Sequence, residues 1–186
     1  MLKNITQSLK NLTSARGLAL AGILLAIYGV LGSFKIPVPP DPVNNRISLT
    51  FLATGMAGML LGPVPAMLIG ALGDILGYMI NSYGGAFFPG FTLSAALAGF
   101  TYGVCLYKKN GISLFIGILV SSLVISFGVN IVLNTIWLEI MYKKAYTIFS
   151  AARVIKNICM YPVHVILLYI VAAAAERTGI KKRYLV

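Results

Sequence analysis

Four residues toward the C-terminal end recur at helical spacing. Arg153, Asn157, Met160 and His164 stand 4, 3 and 4 apart, on one face of a helix, and Lys156 adjoins that face. A guanidinium, an ammonium, an amide and an imidazole together make a surface rich in hydrogen-bond donors, suited to an anionic or strongly polar solute. A second set, Asn130, Asn134 and Trp137, repeats at 4 and 3. Each asparagine alone fits helix-to-helix hydrogen bonding as well as ligand contact. If the two helices are antiparallel neighbours, their polar faces converge in one half of a bundle, and the combination of amide, indole and guanidinium favours a ligand.

Asp74 lies within the apolar run "GALGDILGY". A carboxylate at such a depth is costly unless it is paired or has a task. His164 and the cations near it are the expected partners, and a plain hydrogen bond between helices is the structural alternative. Other chemistry is absent. No phosphate-binding glycine loop, no H-E-x-x-H and no G-x-S-x-G occurs. Cys105 and Cys159 sit in apolar runs, where free cysteine packs as a small apolar side chain. Cys159 and His164 are five apart, a poor pair for a metal. No catalytic residue, metal site or cofactor is expected.

The elements that must hold these residues are set by composition. The chain has 186 residues, 59% of them hydrophobic and 10% charged, and its mean hydropathy is +0.90. Soluble domains are about 25% charged, so an all-α integral membrane protein is expected. Six apolar stretches, 15–34, 47–62, 64–82, 90–107, 112–140 and 150–175, approach the ~20 residues a span requires, the second being short. The first lacks a small-x-small cleavage pattern, so it is not read as a secretory signal. The chain is organised as one membrane domain, 1–186: an amphipathic, interfacial start at 1–14, six spans over 15–175, and a basic tail at 176–186.

Six spans place both termini on one side. With that side cytoplasmic, the inner face holds Lys3, Lys10, Arg16, Lys108, Lys109, Arg177, Lys181, Lys182 and Arg183, and the outer face Lys35, Arg46, Lys143, Lys144, Arg153 and Lys156. The direction obeys the positive-inside rule. The outer face keeps only Asp41 and Glu139 as acids, so it attracts either lipid phosphate or an anionic solute. Basic residues that flank spans form no single patch, and nucleic acid is not an expected partner.

Two further stretches stand out. Ala15, Ala19, Gly22, Ala26, Gly29 and Ser33 make one face of the first span wholly small, a surface for close helix contact within the bundle or with another membrane subunit. The connector "YGGAFFPGFTLSAALAG", residues 83–99, is aromatic, Gly/Pro-broken and uncharged where a polar turn is usual.

The segment "GGAFFPGFTLSAALAGFTYG" after "GPVPAMLIGALGDILGY", with "LNTIWL" and "ARVIKN" further on, resembles the folate-specific S components of energy-coupling-factor (ECF) vitamin transporters, over nearly all of residues 15–175. The resemblance implies a compact six-transmembrane-helix bundle with an outer-face ligand pocket. It implies capture of folate at the bacterial cell membrane and docking on a transmembrane coupling subunit driven by two cytoplasmic ATPases. Ala15, Ala19, Gly22 and Ala26 then form the docking motif, with Gly22 departing from alanine. Phe87, Phe88, Trp137 and Tyr83 become stacking partners for the flat pterin. Asn134 and Asn157 match its polar edge, and Arg153, Lys156 and Arg46 take the glutamate carboxylates. Asp74 joins the ligand site, and the connector becomes a lid. An S component for riboflavin, thiamine or biotin, a membrane enzyme and a secondary carrier are the competing readings.

Overall fold

The computed structural model describes residues 2–39, 45–82, 86–143 and 147–181. Asp41, Tyr83, Lys144, Lys182 and Arg183 lie outside the described residues, as does the side chain of Lys3. Helix α1 (Leu2–Thr13) stops at Ser14, whose Oγ accepts a hydrogen bond from the Gly17 amide at 3.0 Å and so caps α2 (Ala15–Ser33). A short antiparallel ribbon follows, β1 (Ile36–Pro37) with β2 (Arg46–Ile47). Then come α3 (Thr50–Leu60), α4 (Pro63–Ile80) and α5 (Pro89–Leu106). One continuous rod runs through α6 (Gly111–Leu123), a π-helical stretch (Val124–Leu133) and α7 (Asn134–Tyr142). Helix α8 (Thr147–Arg177) closes the bundle, with Pro162 inside it.

Among the described residues, five helices are long and apolar enough to cross a bilayer, counting the rod from Gly111 to Tyr142 as one. The sixth expected span is α3. At 11 residues it rises only ~16 Å, about half of a ~30 Å hydrocarbon layer. The expected range 47–62 shrinks because Arg46 and Ile47 join the ribbon and because Gly62, at φ +99°, turns the chain straight into α4. Despite its length α3 is the most enclosed element: Phe51, Ala53, Thr54, Gly55, Ala57, Gly58, Met59 and Leu60 are all buried, against α2, α4, α5 and α8. The longer helices turn Leu, Ile and Val outward, as contact with lipid requires.

Small residues let these backbones meet. A Cβ built on Gly70 would lie 2.3 Å from the Ala95 carbonyl oxygen, and one on Gly99 would lie 2.1 Å from that of Ala66. Helices α4 and α5 are thus locked together by backbone-to-backbone contact.

At one end, α1 is fastened beneath the bundle. The Asn11 amide donates to the Leu61 carbonyl at 2.9 Å and to the Tyr107 hydroxyl at 3.2 Å, and Lys108 Nζ donates to Gln7 Oε1 at 2.6 Å. Lys181 pairs with Glu176 at 3.1 Å and donates to the Lys109 carbonyl. The expected interfacial start is therefore docked on the helix ends, and the expected tail is tied back at Lys181.

Since the Ala66 carbonyl cannot yield without disturbing α4, Gly99→Leu is expected to cost about 1–3 kcal/mol or more by overpacking. Thermal unfolding in detergent should show a midpoint lower by several degrees.

Candidate ligand-binding site

The end opposite α1 holds a cavity of about 340 Å³. Its space exists because α3 stops short. The first turns of α3 supply Thr50, Phe51 and Thr54 to its lining, and longer helices wall the sides.

One wall is basic. Arg153 and Asn157, both buried, come from α8, and the Asn157 amide donates to the Arg153 carbonyl at 2.9 Å. Lys156 Nζ donates to the Arg46 carbonyl at 3.3 Å, which ties α8 to the ribbon. Lys35 and Arg46 bring the cations of the lining to four among the described residues. Burial holds the Lys35 ammonium below the ordinary lysine range, with Asp74 opposing this and Arg46 reinforcing it. The π-helical stretch adds Asn130, and Asn134 follows it; Asn134 Oδ1 is buried with no hydrogen-bond partner among the described residues. Long π stretches are rare and recur at functional sites.

The facing wall is less charged. Asp74 Oδ2 accepts from Thr92 Oγ1 at 2.8 Å. The expected pairing of Asp74 with His164 or a cation of the sixth span is corrected: Thr92 of α5 is the partner, and His164 stacks on Phe51 with ring centroids 4.0 Å apart. Sequence spacing reports faces of single helices and could not say that α4 meets α5 at this level.

Phe87, Phe88 and Phe91 line the aromatic mouth. Phe87 lies 5.2 Å from Tyr78, and Phe88 lies 6.0 Å from both Phe91 and Trp137, measured between ring centroids. A Cβ on Gly90 would fall 2.5 Å from Phe88 Cε1 and 2.6 Å from Trp137 Cδ2. Gly90 is therefore a notch that lets the two rings close over the start of α5. Trp137 Nε1 donates to Ser94 Oγ at 3.0 Å.

Of the expected ligand-contact residues, Arg46, Asp74, Phe87, Phe88, Asn134, Arg153, Lys156 and Asn157 line the cavity. Trp137 does not; it backs Phe88 from behind. Asn134 and Trp137 share α7, and Trp137 is turned to α5, where its Nε1 bonds Ser94 and its ring packs against Phe88. Tyr83 lies outside the described residues. Sequence reasoning missed Tyr28, Thr54, Tyr78, Ser94 and Tyr102, all in the lining. Thr50 and Thr54, four apart in an apolar run, were the available signal for the floor. Ala15, Ala19, Gly22 and Ala26 are exposed, and no atom lies within 4 Å of a Cβ on Gly22. The buried face of α2 is a different one: Gly17, Ala21, Leu24, Tyr28 and Gly32.

Comparison with known proteins gives a consistent picture. A family profile described as the ECF-type riboflavin transporter, S component, matches residues 12–177. The folate transporter FolT of Clostridium novyi (strain NT) is 41% identical over 128 residues, covering 67% of this chain and 70% of that protein. FolT of Leuconostoc mesenteroides is 32% identical over 155 residues, covering 81% and 80%. Among solved structures, a crystal structure of FolT bound with folic acid shares 31% identity at a TM-score of 0.73, covering 84% of this chain and 92% of that one. The S component of a bacterial ECF transporter, at 20% identity and a TM-score of 0.68, covers 87% and 95% and shares the fold.

Gly90→Ala is expected to push Phe88 and Trp137 apart. Trp137 is the sole tryptophan, so its emission spectrum should shift in the purified variant, and an unchanged spectrum would argue against the notch.

Proposed function

This chain belongs to the S-component family of ECF-type vitamin transporters, and from that premise we propose that it captures folate outside the cell for an ATP-driven importer. It is a transport subunit and not an enzyme. The observation that carries the choice of ligand is the basic wall: Lys35, Arg46, Arg153 and Lys156 line one cavity in a chain with only four acids. Folate carries two carboxylates on its glutamate, and guanidinium and ammonium groups bind carboxylates through charge-assisted hydrogen bonds. The N-terminus of α3 points its partial positive charge the same way. Phe87 and Phe88 offer ring faces to the pterin and aryl groups, with Trp137 supporting Phe88. Asn134 and Asn157 supply amides for part of the pterin edge. The family profile carries the name of riboflavin, but riboflavin has no carboxylate to balance four cations.

The remaining assignments extend this reading. The whole chain, 1–186, forms one membrane domain, with both termini cytoplasmic and the cavity facing out. In support, α1, Lys108, Lys109 and Lys181 gather at the end opposite the cavity. Ala15, Ala19, Gly22 and Ala26 dock on a transmembrane coupling subunit that two cytoplasmic ATPases drive. Their exposure supports this, because small residues facing lipid gain little, whereas small residues facing a helix allow close approach.

Calorimetric titration of the detergent-purified chain with folic acid, with riboflavin and thiamine as controls, tests the ligand. One tight folate site per chain is expected, and Arg153→Ala should weaken it about tenfold or more. Folded protein that binds riboflavin and ignores folic acid would overturn the reading. For docking, Gly22→Leu should leave folate binding within about twofold, since the position is open. It should abolish co-purification of the coupling subunit and folate uptake; retained uptake would remove α2 as the docking face.

A further inference from the structure

Helix α1 ends in an elbow that leaves no slack between it and α2. Ser14 Oγ donates to the Asn11 carbonyl at 3.0 Å and accepts from the Gly17 amide at 3.0 Å. A Cβ on Gly17 would lie 1.8 Å from that same carbonyl oxygen, so the last turn of α1 sits directly on the first turn of α2. The Asn11 side chain reaches the other way, donating to the Leu61 carbonyl and to the Tyr107 hydroxyl. Leu61 is the C-cap of α3, and a helix leaves its last carbonyls without partners. The residue four positions on, whose amide would serve a continuing helix, is Pro65, which has no N–H. Asn11 supplies the missing donor. Beside it Gly62 makes room for Ser8, whose Cβ would lie 2.6 Å from a Cβ there, and Lys108 Nζ holds Gln7. Asn11 therefore joins the start of α2 to the end of α3 and the end of α5.

The exposed row of α2 begins at this elbow, with Ala15 and Ala19. From its Leu61 end α3 runs to Thr50 and Phe51 in the cavity lining. A shift of α2 against a docked partner is passed by the elbow to Asn11 and by Asn11 to the end of α3. Helix α3 carries it to the cavity, since packed elements move as units rather than deform continuously. We propose that α1 is a strap that couples docking to ligand hold, with Asn11 as its positioning residue. This assignment rests on the α2 docking face and on the folate reading. A competing task for α1 is to cap the helix ends beneath it and nothing more. The two tasks differ in what they change. A cap changes stability alone, whereas a strap changes how strongly the partner and the ligand affect each other, a reciprocal quantity.

The test measures how tightly the full-length, detergent-purified chain binds the coupling subunit with its two ATPases, with and without saturating folic acid. For the unmodified chain the two affinities should differ by about fivefold or more, the lower end for coupled sites. Asn11→Ala removes both tethers and should bring the two affinities within about twofold of each other. The isolated variant should still bind folic acid within about twofold of the unmodified chain, because Asn11 is not in the cavity lining. Tyr107→Phe deletes one tether and should narrow the difference by about twofold; it carries the test if Asn11→Ala does not fold. A lower thermal midpoint with the difference intact would leave α1 a cap, assign any coupling to the direct packing of α2 on α3, and overturn the proposal. Docking of the unmodified chain that ignores folic acid overturns the strap alone. Gly22→Leu separates it from the docking reading: if that variant docks as tightly as the unmodified chain, the α2 face is lost and the strap with it. No binding of folic acid by the unmodified chain overturns the folate reading and the strap together.

Discussion

The structure depends on the shortness and burial of α3. An 11-residue helix spans about half the hydrocarbon layer, and the half it leaves open becomes the cavity. Because four helices surround it, α3 faces neighbours rather than lipid, and its sequence is correspondingly small and apolar: Ala53, Gly55, Ala57 and Gly58 alternate with Phe51, Leu52, Met56 and Met59. The helix ends in a turn at Gly62 where a Cβ would strike Ser8, so α1 and the turn fit directly against each other. The other end opens into the cavity floor at Thr50 and Phe51. One element thus closes the end that carries α1 and shapes the end that carries the cavity.

Placing four cations around that opening has an electrostatic consequence. Like charges taken partly out of water repel and lose hydration. The burial that lowers Lys35, reinforced by Arg46, is one sign of it. The Lys156 head is held by a carbonyl, that of Arg46, and Asp74 acts on Lys35. An anionic ligand adds negative charge to a lining in which, among the described residues, four cations stand with one carboxylate. A ligand that binds the folded state also stabilises it, and the ribbon and α8 are joined at the cavity through Lys156.

Much of this was legible in the sequence. The helical spacing of Arg153, Asn157 and His164 placed all three in one lining, and the apolar runs located the helices to within a few residues. Three features were not. The ribbon of Ile36–Pro37 and Arg46–Ile47 is too short for periodicity to register. The π-helical stretch, Val124–Leu133, changes the number of residues per turn without changing composition. Thr92 as the partner of Asp74 depends on how α4 and α5 align, which Gly70 and Gly99 set through backbone contact with Ala95 and Ala66. Those glycines are visible in sequence, but their mates are not.

Helix α2 carries two distinct surfaces. One is the exposed row Ala15, Ala19, Gly22 and Ala26. The other includes Tyr28, which lines the cavity. The Tyr28 ring fills the space above Gly73, where a Cβ would lie 2.5 Å from Cδ1, and Gly73 immediately precedes Asp74. A rigid shift of α2 against a docked helix therefore cannot leave the α4 wall of the cavity untouched, because close-packed contacts do not deform continuously. The physical route from the open face of α2 to the carboxylate is two contacts long: Tyr28 on Gly73, then the peptide into Asp74. A chain of packed contacts of this kind is one physical means of coupling the open face of α2 to the cavity wall, beside the direct packing of α2 on α3.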